Sequence, residues 1–367
     1  MEVISHWVNR YFSNEEAIYL VVMLVVAFVV LVALGGVLMP VLTALVLAFL
    51  LTGLVERFKR LKIPEKPAVY LTFVLFLSGM VAVLIFIVPL VVRQTQAFVA
   101  ALPDILVRLR EIMQRLVEAF PELITEAQVA ASIDSAAGQL GNLSTSALEL
   151  LVGQVPSLVG LLIYVVLVPI SVFFFLKDRQ HLLDWVRSLM PAERLLIEQV
   201  GAEMNTQLAN YVRGKFIEIL IVGAVTFITL TAFGLNYAAL LSVLVGLSVL
   251  IPFVGAAVVT IPVALVALIQ FGWSWEMAYV MAAYGIIQAL DGNVLVPLLF
   301  SEAVDLHPIT IIVAVLAFGG LWGVWGVFFA IPLATLVKAI YNAWPREADH
   351  AALAEVDVGQ KASDGQL

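Results

Sequence analysis

The chain of 367 residues contains no cysteine, which excludes disulfides, thiolate metal sites and thiol catalysis. Its four histidines, at positions 6, 181, 307 and 350, are too scattered to form a ligand set. A Gly-rich phosphate loop, an HExxH pair and a nucleophile elbow are all absent, so neither an enzyme nor a metal or cofactor site is expected. Charge is scarce. Asp, Glu, Lys and Arg make up 13% of the chain, against about 25% in soluble domains. No basic stripe exists and the net charge is −8, which argues against a nucleic-acid partner. The N-terminus lacks a basic stretch followed by a short apolar core and cleavage site, and is read as uncleaved. Most telling, no Lys or Arg occurs between Lys215 and Lys338.

What fills the sequence instead is apolar: 63% hydrophobic residues and a mean hydropathy of +1.07. This composition defines an all-α polytopic membrane protein, and the pattern gives about eight transmembrane helices. Residues 1–16 suit an interfacial amphipathic helix, with Ile4, Trp7, Val8, Tyr11 and Phe12 on one face and a capping box at Ser13 and Glu16. The first transmembrane part, 17–92, reads as three spans, the first two turning at Gly35-Gly36. Arg57, Lys59, Arg60, Lys62 and Lys66 place the next loop in the cytoplasm by the positive-inside rule. The N-terminus then lies there too, and Lys338, Arg346 and Lys361 favour a cytoplasmic C-terminus.

Residues 93–155 form an extracytoplasmic amphipathic helical segment. Leu102, Ile105, Leu109, Ile112 and Leu116 follow the three-four alternation of a coiled-coil seam, launched by Pro103. The seam can pack on its own following helix or on neighbouring subunits. The second transmembrane part, 156–344, includes a cytoplasmic elbow at 177–215, and 345–367 is a polar tail expected to be disordered. Lys177 and Asp178 follow Phe173-Phe174-Phe175 as a stop-transfer boundary, with a gating salt bridge as the sharper reading. Arg213, Lys215 and Glu218 mark a span entrance, where Lys215 and Glu218 can pair at i,i+3.

Two apolar stretches carry interruptions. Residues 238–271 are broken at Ile251-Pro252-Phe253-Val254-Gly255, giving one broken span or a re-entrant hairpin. Residues 277–300 are broken at Asp291-Gly292-Asn293, with Gln288 before and Pro297 after. Irregular backbone at membrane depth persists only where it is buried in protein or lines a wet cavity, so two such breaks suggest a transport site between them. An Asp at the bilayer centre costs roughly 2.5–3.5 kcal/mol, and the neighbouring sequence offers Asp291 no cation. Its bland alternative is a helix cap, since Asp-Gly-Asn is strong turn chemistry. His307-Pro308 precedes a final Gly-rich span and reads as a solvated loop or a titrating group.

Phe173-Phe174-Phe175-Leu176-Lys177-Asp178, Tyr211-Val212-Arg213-Gly214-Lys215, Ile251-Pro252-Phe253-Val254-Gly255 and Leu290 to Pro297 through Leu306-His307-Pro308 together resemble the autoinducer-2 exporter family. Asp291 to Pro345 is most similar to its PerM-type permeases. The resemblance spans about 17–345. It implies a multi-pass bacterial inner-membrane transporter, about eight spans, cytoplasmic termini and a homo-oligomer. Family substrates range from a small furanosyl signalling molecule to sodium or lithium exchanged for protons. The leading expectation is a secondary transporter that exports or facilitates a small polar solute through a site between the two breaks. A sodium or lithium/proton antiporter using Asp291 is the second, and an envelope scaffold that binds partners through 98–140 is the third.

Overall fold

A computed structural model describes residues 15–119, 157–190, 195–252, 254–300 and 306–343. The residues expected to form the interfacial helix with its capping serine, the part of the expected extracytoplasmic segment after Ala119 and the C-terminal tail lie outside the described residues. Those described are helical: α1 (Glu15–Arg60), α2 (Glu65–Ala82), α3 (Val88–Ala119), α4 (Ser157–Lys177), α5 (Arg179–Ser188), α6 (Leu195–Ala232), α7 (Ala238–Ser248), α8 (Val254–Phe271), α9 (Trp275–Leu290), α10 (Val296–Phe300) and α11 (Pro308–Ala343). Among them six segments are long and apolar enough to cross a membrane. Large side chains such as Phe86, Ile228 and Leu298 stand exposed, as lipid-facing residues do. The chain is an all-α polytopic membrane protein.

Two compact units share the chain. One comprises Pro40–Lys177 and Asn210–Glu302, the other Met1–Met39, Asp178–Ala209 and Ala303–Leu367. In the first unit a three-helix core joins Ala44, Ala48 and Val55 of α1 to Ala68 and Val69 of α2 and Val168, Val172 and Leu176 of α4. Lipid is as apolar as leucine, so helices associate in a bilayer by close packing rather than by escape from water. The alanines allow that approach. Phe173 of α4 sits 5.8 Å from Tyr70 and 5.1 Å from Phe73, ring to ring.

Three sequence expectations are overturned. Gly35-Gly36 does not turn the chain: α1 runs through it for 46 residues, about 69 Å at 1.5 Å per residue. Gly35 does not adopt positive φ, and a Cβ on it would meet the Trp322 indole at 2.5 Å. The glycine makes room for a ring. Pro103 does not open a new helix either; it lies inside α3, which continues α2 through a π-helical turn at Val83–Ile87. The final Gly-rich span is not one rod. Gly323 at φ 61°, ψ −139° folds α11 back on itself. Ala314 consequently shares a core with Ala330 and Ala334, residues that a straight helix would hold about 24 Å or more away.

The break at residues 251–255 makes a similar hairpin. Leu241 and Val245 of α7 pack with Val259, Val263 and Val266 of α8. At the open end Gln270 ties the arms, accepting from Asn236 N at 2.7 Å and donating to Gly234 O at 2.8 Å. Both ends of the hairpin therefore lie on one side, which settles 238–271 as two antiparallel arms rather than one kinked rod. A Cβ on Gly255 would overlap the Ser248 carbonyl, and one on Gly326 would overlap that of Phe318, so each turn closes through a glycine.

These overlaps set a test. Gly255→Ala and Gly326→Ala each force backbone apart and should cost about 1–3 kcal/mol or more, lowering the Tm in detergent. Gly79→Ala has nothing within 4 Å of the new Cβ and lies within α2, so it should hold or raise the Tm, since Ala is favoured over Gly in a helix by roughly 0.5–1 kcal/mol.

Candidate transport site

The first unit contains a short helix whose two ends are both finished by side chains from elsewhere. α7 has 11 residues, about 16 Å, roughly half the hydrocarbon thickness. A helix this short exposes unpaired N–H groups at one end and carbonyls at the other. Gln94 of α3 meets the first need, its Oε1 accepting from Leu240 N at 2.8 Å. Lys215 of α6 meets the second, its Nζ donating to Val249 O at 2.8 Å. A cation there also complements the negative end of the helix dipole. Crossing α6 this closely is possible because Gly246 lies on Gly223, where a Cβ would meet the glycine Cα at 3.1 Å.

Lys215 is 5% exposed and Glu218, one turn along, 2% exposed. The Lys215 ammonium lies 2.8 Å from Glu218 Oε2 and 5.1 Å from the centroid of Phe300. Phe300 is clamped in turn by Tyr211, 5.9 Å between centroids, and by Gly214, where any Cβ would come within 2.6 Å of its ring. The run Tyr211, Gly214, Lys215, Glu218 is thus one packed face of α6. Thr226, two turns further along that face, is fully buried and its hydroxyl has no partner.

Asp291 joins this group. Its carboxylate interacts electrostatically with Lys215 and with Glu218, and its Oδ1 is buried with no hydrogen-bond partner. The expected break at Asp291-Gly292-Asn293 is absent: α9 passes into α10 through a π-helical turn at Asp291–Leu295. No helix terminus exists there, so of the two expected breaks the α7–α8 hairpin is the one that supplies half-helix partial charges. The π turn widens the helix by one residue and is a feature often found at functional sites. Asn293 serves it locally, Nδ2 donating to Ala289 O at 2.8 Å. Gln288 Nε2 donates to the Tyr284 hydroxyl, which lies 3.2 Å from Thr260 Oγ1, itself donating to Ala256 O at 2.7 Å. With the Thr260 proton committed to Ala256, the Tyr284 hydroxyl donates to Thr260. A polar chain thus links α9 to α8.

The other sequence candidates fall elsewhere. Pro297 is exposed on α10, Pro252 is half-buried in the hairpin turn, and Gly255 is buried beside Ser248. Arg213 is exposed and lies over Gly53. Lys177 sits 5.9 Å from the rings of Phe173 and Phe174, and Asp178 precedes α5. His307 immediately precedes α11, its Nδ1 accepting from Ile309 N at 3.3 Å, a capping role. Leu102 and Ile105 are buried within their own unit, where α3 packs against α7 and α8. Leu109 and Ile112 are half-buried, and the Leu116 side chain is outside the described residues. Sequence reasoning missed Tyr284, Thr260, Phe300 and the Val249 carbonyl. Phe300 and Val249 carry no polar signal, and Tyr284 falls in an ordinary apolar run.

A multi-pass helical protein with a buried ion pair, an orphaned carboxylate oxygen and a helical hairpin at one polar centre has the make-up of a membrane transporter. Residues 18–346 match the family described as AI-2E family transporter, and the chain belongs to that family. It is 43% identical over 345 residues to the Escherichia coli (strain K12) protein that bears the permease name PerM, covering 94% of this chain and 98% of that one. The Bacillus subtilis (strain 168) protein that bears the transport-protein name YueF is 25% identical over 310 residues, 82% of each chain. The AI-2 transport protein TqsA of Escherichia coli (strain K12) is 22% identical over 304 residues, 82% of this chain and 84% of that one.

Removing one partner from a buried ion pair costs about 3–5 kcal/mol because the other charge is left uncompensated. Glu218→Gln should accordingly lower the Tm in detergent far more than Asp291→Asn, whose residue is half-exposed. Equal losses would show that Lys215 is held by both carboxylates alike.

Proposed function

We propose that the chain is a bacterial inner-membrane secondary transporter that passes a small polar solute, with its site at the Lys215–Glu218 pair and the Asp291 carboxylate within its electrostatic reach, beside the α7–α8 hairpin. The observation that carries this reading is the Asp291 carboxylate, placed on a π-helical turn in an apolar helix with Oδ1 buried and unpartnered. A carboxylate is costly there, and a pure anchor has no use for it. Gln288 is held by the Tyr284 hydroxyl, itself bonded to Thr260, so a solute rich in hydroxyl donors would meet an amide and a carboxylate set one helical turn apart. AI-2, which TqsA is named for transporting, is one such solute. Assembly into a homo-oligomer would use α3 from Leu109 onward, since Leu102 and Ile105 are already packed inside the subunit.

Reconstitution tests this. Purified protein in liposomes should pass AI-2 or another small polyhydroxyl solute, and Asp291→Asn should reduce that flux at least about tenfold, the equivalent of 1.4 kcal/mol, while the Tm stays near wild type. Unchanged flux in the variant would remove Asp291 from the mechanism. An internal pH dye during sodium or lithium addition separates the readings: cation-driven proton movement lost in the variant would assign an antiporter instead.

A further inference from the structure

The Lys215 ammonium occupies the position in which a cation carrier would hold its ion. Three kinds of ligand surround it: the Val249 carbonyl at 2.8 Å, exposed by the end of α7, the Glu218 carboxylate at 2.8 Å, and the Phe300 face at 5.1 Å. Asp291 adds a second negative charge within electrostatic reach. A helix-end carbonyl with a carboxylate beside it is chemistry that coordinates a small monovalent cation, and here a tethered ammonium sits between the two.

We infer that Lys215 is the resident cation of this site, a covalently attached substitute for sodium or lithium that lets the protein dispense with a free ion. The tether makes the difference. A free ion binds by mass action and stabilises only when present, whereas Lys215 travels with the chain and neutralises Glu218 whatever the ionic composition. Its placement is fixed from both sides, since the side chain is 7% exposed and Gly214 seats the Phe300 ring beside it. Shortening or neutralising Lys215 would leave the Glu218 carboxylate and the Val249 carbonyl around a cavity the size of an ammonium group, with the Asp291 charge within electrostatic reach. That vacancy attracts a free monovalent cation.

The inference deepens the transport reading of this site, but its test needs no transported solute, so either can fail alone. The Tm of the purified full-length protein in detergent is measured at equal ionic strength in sodium, lithium, potassium and N-methyl-D-glucamine chloride. Wild type should give the same Tm in all four within about 1 °C. Lys215→Met should fall by about 5–10 °C in N-methyl-D-glucamine, on the scale of a broken buried pair, and regain at least half of that loss in one of the small cations. Lys215→Arg should keep the ion-independence of wild type. Selective stabilisation of wild type by sodium or lithium would overturn the inference, as would a Lys215→Met protein that responds to none of the ions. If Lys215→Met cannot be purified in any salt, Lys215→Met with Glu218→Gln decides. A folded double variant without ion dependence supports the resident-cation role, because removing the carboxylate removes the need. An unfolded one shows that Lys215 acts by packing, and ends the idea.

Discussion

A helix of 11 residues inside a membrane protein must have its backbone ends satisfied by something other than water, and much of the first unit is arranged around that requirement for α7. Gln94 reaches in from α3 and Lys215 from α6. Each acts at the terminus where its chemistry fits, an acceptor for the free N–H groups and a cation for the free carbonyls. Bringing Lys215 inside obliges the fold to supply a counter-charge, and Glu218 does so one turn away. Close crossing of α6 and α7 then needs Gly223 and Gly246, and seating Phe300 over the ammonium needs Gly214. Several features that look independent in the chain follow from a single backbone need.

The same constraint explains why the polar centre lies where it does. A short helix that ends inside the protein draws polar groups to itself, and beside the buried lysine and glutamate lies a place where a third ionisable group is held at a cost. Asp291 occupies that place on a π-helical turn, with one carboxylate oxygen left without a partner. Around it the fold is economical: the Gln288, Tyr284 and Thr260 chain gives each hydroxyl proton an acceptor. Within this unit the Thr226 hydroxyl on α6 and the Asp291 carboxylate oxygen on the π-helical turn are buried without a hydrogen-bond partner. In the other unit α11 repeats the hairpin device with Gly323 as the turn and Gly326 at the crossing, but no cluster of charges accompanies it among the described residues.

The breaks predicted from Pro, Gly, Asp and Asn mark structurally special positions without revealing which kind. Ile251-Pro252 and Gly255 do form a sharp turn, because a proline without an N–H and a glycine against a carbonyl suit a chain reversal. Asp291-Gly292-Asn293, with equally strong turn chemistry, stays helical. Asn293 returns its amide to Ala289 O, and five residues of π geometry absorb the irregularity. Gly35-Gly36 likewise stays helical because nothing demands positive φ there and a tryptophan needs the space. Local residue type names the candidates for a turn, and tertiary contacts choose among them.

Composition alone determined that this chain is an all-helical, multi-pass membrane protein without thiol chemistry, since nothing but lipid can accommodate so much apolar surface with so little charge. The sequence also singled out Asp291, because a carboxylate in an oily helix is costly wherever it points. The pairing of Lys215 with Glu218 was legible from their i,i+3 spacing. What no spacing could show is that these residues, 76 and 73 positions from Asp291 along the chain, share its surroundings, or that Lys215 finishes a helix that begins after it. Those facts depend on α6, α7 and α9 folding together. Electrostatic attraction acts through space, and only the tertiary structure decides which charges are close enough to feel it.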